Sequence, residues 1–405
     1  MTADDDRTVP FLDLQGAAFR SDPHGVLRWA RERSFWAPTA IGSALLRYEE
    51  VQAALCHRKL RTPGADFLAM QGITDGPLVT TMQGLLLSTD GAAHEHMRRA
   101  VSKAFMGCRV EQFRPTMAAI ARDLVDAMAQ CERCDFIEDF ADPFAFRVLC
   151  AFIGIPEDTH AIVHAWTGDI ALLFGLGVAE NGARITAALG GLNAYIDELL
   201  ADRRRAPRDD LVSALVAAGE AAEPLTPAQI RSLVLTLMSA GHDTVRHQLG
   251  NAMAAFLDHP EQWRMLAAQP ELSAQAAHEV VRFSPASILG LPRVAAADIE
   301  LCGLPFARGD WILPITGSAN RDPRVFASPD SFDIARPRSP HLSFGGGIHF
   351  CLGAALARVE LQVALPILAS RLHEISAAGQ APWRPPTEAV YGPVRLPIAY
   401  RAAPT

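Results

Sequence analysis

The chain has 405 residues, 49% of them hydrophobic and only 7% aromatic, with a formal charge of −8. Its acids are scattered and no basic stripe carries interleaved aromatics, so a nucleic-acid binder is not expected. The length exceeds a usual single core. Yet no linker, low-complexity run or solenoid repeat divides the chain, and a single Ala- and Leu-rich, mainly helical domain over 1–405 is expected.

The acidic start MTADDDRTVPF is unlike a signal peptide, and no run of about 18 apolar residues occurs. A cytoplasmic protein with no membrane segment, and a monomer, is the expectation. The seven cysteines (Cys56, Cys108, Cys131, Cys134, Cys150, Cys302 and Cys351) are odd in number and irregularly spaced, which argues against a disulfide framework. Cys131-Glu-Arg-Cys134 has no second ligand pair and reads as an incidental pair at a helix end.

In chain order, a helix is predicted near Pro23 to Arg33, extended chain from Phe35 to Leu46, and a short helix from Tyr48 to Cys56. Arg61 to Thr89 is apolar and punctuated by Gly and Pro, the composition of a long ordered loop, here a candidate to face substrate. Helical periodicity then runs from Ala92 to Leu266, with breaks at Pro115, Gly154-Ile-Pro156, Gly175-Leu-Gly177 and Ala206-Pro207. The break between Gly175 and Gly182 reads either as a lid hinge or as a plain surface turn.

Thr226 is a good N-cap and Pro227 suits the first helical position. The helix they start is predicted to reach about Asp258, roughly 48 Å at 1.5 Å per residue. Leu233, Val234, Leu235, Leu237 and Met238 surround its axis, as in a helix buried on most sides. After Pro285 come strand-like pieces (Arg293 to Ala295, Ile299 to Leu301, Trp311 to Ile315), an irregular stretch to Pro340, and a last helix from Leu352 to about Leu372. The predicted fold class is mainly α (α+β), with the β-rich portion near 1–60, 285–320 and 375–405.

The chemistry centres on Phe344-Gly-Gly-Gly-Ile-His-Phe-Cys351-Leu-Gly353. Consecutive glycines let backbone approach a flat object, and a cysteine just ahead of a helix N-terminus is favoured as thiolate. A phosphate-binding loop is disfavoured because no Gly-Lys-Ser/Thr and no βαβ unit accompany it; a simple turn is the plainer alternative. This segment resembles the heme-binding loop of the cytochrome P-450 superfamily, Phe-Gly-x-Gly-x-His-x-Cys-x-Gly, at every specified position. The resemblance implies the triangular helical P-450 prism with a small β-rich side, heme b, and Cys351 as axial iron ligand, its thiolate pushing electron density towards O–O cleavage. It also implies Phe344 beside the sulfur and a backbone donor at Gly345 tuning the potential.

Other family signatures follow in order. Glu279-Val-Val-Arg282 matches the E-x-x-R pair, with Phe283-Ser-Pro285, Asn320-Arg321-Asp322-Pro323 and Phe332-Asp333 after it; the pair lies on one helical face and is assigned a structural role. Ala240-Gly241-His242-Asp243-Thr244 matches the oxygen-activation motif, with Gly241 permitting local widening and Asp243 and Thr244 relaying protons. Val245 stands where many relatives carry a second hydroxyl. His242 reads as a core or interhelix hydrogen-bonding residue rather than a ligand. His94, Arg98, Arg293 and His349 match the propionate contacts.

Substrate contacts are expected from Leu78, Val79, Leu237, Ala240, from Ile288, Leu289 and Leu291, and from the turn Tyr391 to Val394, all suited to a hydrophobic organic molecule. No flavin or iron–sulfur segment is recognisable, so the resemblance implies O2 as oxidant and a ferredoxin with its NAD(P)H-dependent ferredoxin reductase as electron source. Arg99, Lys103, Arg109 and Arg358 are candidate ferredoxin contacts. Rival readings are peroxide-driven oxygenation or oxidative coupling at the same heme, and a non-catalytic heme-binding or gas-sensing protein.

Overall fold

The computed structural model describes residues 9–102, 107–219 and 224–403, with the backbone alone at 107–109. Lys103, the side chains of Cys108 and Arg109, and the acidic residues before Val9 lie outside the described residues. Two compact units emerge, each discontinuous in sequence.

The first unit comprises the chain up to Pro63, His247–Cys351 and Gln380–Leu396. Asp22 accepts a hydrogen bond from the Gly25 amide just ahead of Pro23, which caps the helix Pro23–Arg33 as proline at the first helical position requires. A five-stranded sheet runs in the order Trp36–Thr39, Gly42–Leu45, Trp311–Pro314, Arg293–Ala295, Leu60–Arg61. Only its second and third strands pair in parallel. Val51 and Leu55 of the helix Tyr48–Cys56 join Leu45, Ile312 and Phe326 in one apolar cluster, and Leu27, Ala30, Leu313 and Ile315 join a second. Burial of these side chains at about 25 cal/mol per Å2 is the main stabilising contribution.

The second unit comprises Gly64–Arg246, Leu352–Gly379 and the chain from Pro397. Here helices pack on helices: Arg114–Met128 against Ala354–Arg371, and His160–Ala171 against Val178–Arg205. A small antiparallel sheet places Pro397–Ala402 between Arg133–Asp135 and Leu372–Ala377. No described helix is long and apolar enough to cross a membrane.

Three expectations are corrected. The stretch 61–89 is not a loop: it folds into Asp66–Ala69, Pro77–Gly84 and a 3-10 turn Leu86–Ser88. Gly76, at φ 90°, ends the preceding segment and Pro77 starts a helix that buries Leu78, Val79 and Met82. The long helix is really two, Pro227–Gly241 and Asp243–Asp258, interrupted at His242. Cys134 belongs to the strand Arg133–Asp135, paired with Ile398, rather than to a helix end.

Candidate active site

The cysteine loop is held from one end of a hydrogen-bonded chain. Glu279 and Arg282, three residues apart on the helix Ser273–Phe283, form the bidentate pair that their spacing predicts: Nε to Oε2 at 2.8 Å and Nη2 to Oε1 at 2.7 Å. Arg282 also donates to the carbonyls of Asn320, Pro329 and Ser331, while Arg336 and the Asp333 amide donate to Glu279. Asn320, fixed by its own carbonyl, accepts from the Leu342 amide through Oδ1 and donates to Ser343 Oγ, which in turn donates to the Val281 carbonyl. The residues immediately before Phe344 are thus locked to the Glu279–Arg282 helix.

From Phe344 the loop closes on itself, the Cys351 amide donating to the Phe344 carbonyl at 2.8 Å. Gly345 and Gly347 adopt φ of 72° and 64°, conformations that cost a side-chain-bearing residue. At Gly347 a Cβ would also lie 2.7 Å from the Leu55 carbonyl, so glycine is required by the close approach of two backbones. The Cys351 thiol is exposed, and Ile348 and Phe350 beside it are exposed at 53% and 39%. Three apolar or soft side chains presented together fit the face of a flat, apolar heme with a thiolate ligand. His349 lies partly exposed in the 3-10 turn Gly347–His349. Arg293 is buried and turns its guanidinium to the Leu291 and Pro292 carbonyls. Leu291 and Val394 are exposed and Leu289 half-buried, whereas Ile288 is wholly covered inside the first unit's core.

In the second unit, the helix break brings Ala240, Gly241, Asp243 and Thr244 to one place. Thr244 Oγ1 donates to the Ala240 carbonyl at 2.9 Å, satisfying an acceptor that the interrupted helix ladder leaves. Ala240 and Thr244 are exposed in the middle of a segment whose preceding turns are buried, as expected of a face kept open for a ligand. Gly241 has a packing reason too, since a Cβ there would meet Leu149 Cδ1 at 2.7 Å. Asp243 is 3.7 Å from Arg246, and Val245 is buried. His94 is buried and Arg98 half-buried one turn apart on Gly91–Ser102, while Leu78, Val79 and Leu237 are buried.

Two features carry no motif. Asp142 accepts from His164 Nε2 at 2.9 Å and His242 Nε2 at 3.1 Å, which makes His242 an interhelix hydrogen-bonding residue as its position suggested. Burial pushes the Asp142 carboxyl up, but the hydrogen bonds from His164 and His242 and the charges of His242 and Arg246 outweigh it and hold the group well below the usual carboxylate range. Glu360, fully buried on Ala354–Arg371, has no hydrogen bond at Oε2, and burial pushes its carboxyl up to about 8. A lone Glu inside an apolar helical repeat is the signal that would have found it.

Comparison with known proteins gives the family. The family profile described as Cytochrome P450 matches residues 263–388. Luteothin monooxygenase of Streptomyces thioluteus is 35% identical over 401 residues, covering 98% of this chain and 97% of that one. Mycinamicin IV hydroxylase/epoxidase of Micromonospora griseorubida is 35% identical, covering 99% and 100%. The crystal structure of CalO2 superposes with a TM-score of 0.89 at 30% identity, covering 96% of this chain and 98% of that one. The chain belongs to the cytochrome P450 family, and it is a heme-dependent monooxygenase.

Proposed function

We propose that this monooxygenase oxidises a hydrophobic small organic molecule of bacterial secondary metabolism or catabolism, with Cys351 as the iron's thiolate ligand and electrons from a ferredoxin and its NAD(P)H-dependent reductase. The observation that carries the reading is the closed loop Phe344–Gly353, which presents an exposed cysteine among exposed apolar side chains. Bound there, heme supplies the family's redox and O2-activating chemistry.

The chain's own residues do the rest. The Phe344–Cys351 backbone bond and the Asn320 contacts hold the loop backbone that carries Cys351, so ligation costs little backbone ordering. His94, Arg98, Arg293 and His349 offer the donors that two propionates require. Thr244 holds a proton at Oγ1, bonded to the Ala240 carbonyl, and rotation of that hydroxyl turns it towards a ligand. Asp243 is the acid from which Thr244 is resupplied; Val245 adds no hydroxyl, so the relay depends on these two. Leu78, Val79, Leu237, Leu289, Leu291 and Val394 supply apolar contacts suited to a hydrophobic substrate. Ile288, covered in the core, is left out of that set. Arg99 and Arg358 are candidate contacts for an acidic ferredoxin.

The test is the reduced-CO difference spectrum. Wild-type protein is expected to show the red-shifted Soret band of a thiolate ligand, and Cys351→Ser to lose it while remaining folded. An imidazole-type band in folded wild-type protein would remove Cys351 from its role.

A further inference from the structure

Outside the P450 motifs, three ligand-type side chains converge from three helical segments. Asp142 opens the helix Asp142–Ile153, directly after a π-helical turn at Ile137–Ala141; His164 lies on His160–Ala171; His242 occupies the break after Gly241. One ligand atom from each lies within 4.8 Å of the others. The two imidazole centroids are 5.0 Å apart, and Phe146, one turn after Asp142, presents its ring to them at 4.7 and 5.3 Å. An apolar wall therefore backs the cluster and fixes both rings.

We propose that Asp142, His164 and His242 form a binding site for a first-row divalent cation of the zinc type. Two imidazoles and one carboxylate are the donor set that such cations prefer, whereas magnesium and calcium favour all-oxygen shells. Three protein ligands leave a fourth position for water. At present hydrogen bonds of 2.9 and 3.1 Å hold the Nε2 atoms on the two carboxylate oxygens. A tetrahedral cation with bonds of about 2.0–2.1 Å needs ligand atoms about 3.4 Å apart. Each imidazole then recedes by a few tenths of an ångström, and its Nε2 proton moves to Nδ1 or to solvent. Access is from the His164 side, where exposure falls from 42% at His164 through 22% at Asp142 to 7% at His242.

Arg246 opposes this, its Nε lying 3.3 Å from the same Asp142 Oδ1. That contact is the replaceable one. The Nε makes no hydrogen bond, and Nη1 is already 3.7 Å from the Asp243 carboxylate. A cation taking over Asp142 sends Arg246 to Asp243, which ties the acid next to Thr244 into a closer ion pair and slows its proton hand-over. This consequence rests on the Asp243 role proposed above; the site itself does not.

The experiment is calorimetric titration of zinc into chelator-treated, heme-loaded protein, with magnesium as the contrasting ion. A saturable one-to-one isotherm for zinc and none for magnesium is expected. His164→Ala, at a half-exposed position, should weaken that isotherm at least tenfold while the reduced-CO spectrum stays as in wild type and the protein still melts cooperatively, a few degrees lower for the lost hydrogen bond to Asp142; His242→Gln should weaken it similarly. No saturable zinc binding, or an undiminished isotherm in His164→Ala, overturns the site. Zinc should also lower product formation in wild type and not in His164→Ala. If zinc occupancy leaves wild-type product formation unchanged, the link through Arg246 is overturned while the calorimetry still stands for the site.

Discussion

Glu279–Arg282 and Asp142–His164–His242 are both carboxylates gripped by nitrogen donors, and they solve opposite problems. In the first, the paired side chains are 0% and 2% exposed, and Arg336, the Asp333 amide and three carbonyls complete the hydrogen bonding. In the second, exposure is graded and one contact, from Arg246, is an ion pair without a hydrogen bond. A closed, satisfied cluster resists exchange of any partner, because each loss strands a buried group. An open one with a spare contact tolerates exchange, and that is what a ligand site needs.

The largest effect should come from breaking the closed cluster. Arg282→Ala leaves Glu279 buried beside unpaired carbonyls and is expected to cost about 3–5 kcal/mol, enough to prevent accumulation of folded holoprotein. Denaturant unfolding and heme content both measure it, and a loss below about 1 kcal/mol would show the cluster to behave as a surface pair. Next comes the buried acid whose Oε2 has no hydrogen bond, Glu360. The folded pKa of Glu360 is raised by burial to about 8. Its neutral form is therefore the stable one, and stability is lost as pH rises from the unfolded value of about 4.3 through the folded one. Glu360→Gln should gain on the order of 1–3 kcal/mol at pH 8 and little at pH 4, read from melting against pH.

Asp142 has the reverse sign. Its folded pKa lies below the unfolded value, so its contribution is complete above about pH 4 and fades as the pH falls through the folded value. Asp142→Asn should cost about 1–2 kcal/mol at neutral pH and flatten the acid limb of the melting profile. An unchanged acid limb would mean that the two histidines and Arg246 do not hold the carboxylate.

What was legible in the sequence follows the same division. Contiguous patterns were readable because their spacing is their geometry: Glu279 and Arg282 face each other at one helical interval, and the Gly345–Gly347 turn needs residues without side chains. Arg336 and Asp333, which close the cluster around Glu279, come more than fifty positions later and obey no local spacing. Asp142 and His164 belong to no motif, and only the packing of separate helices joins them to His242. At 61–89 the density of Gly and Pro has the composition of a loop, although Gly76-Pro77 is also how a helix begins. The strand Arg133–Asp135 is three residues long and pairs with the far end of the chain, too short to show alternation.

The smallest effect on stability is expected where the largest effect on chemistry is. Thr244 is exposed, and its one hydrogen bond in this structure returns to the Ala240 carbonyl a turn earlier, so Thr244→Ala should shift unfolding by no more than about 0.5 kcal/mol. The reduced-CO spectrum should also be unchanged, because Cys351 is untouched. Product formed per NAD(P)H consumed should nevertheless fall severalfold, and Thr244→Ser, which restores the hydroxyl, should recover most of it. If both variants retain wild-type coupling, the proton does not pass through Oγ1, and the hydroxyl only caps a carbonyl at the helix break. If Thr244→Ala instead loses stability like Arg282→Ala, the contact to Ala240 belongs with the closed clusters, and exposure does not mark the exchangeable contacts of this protein.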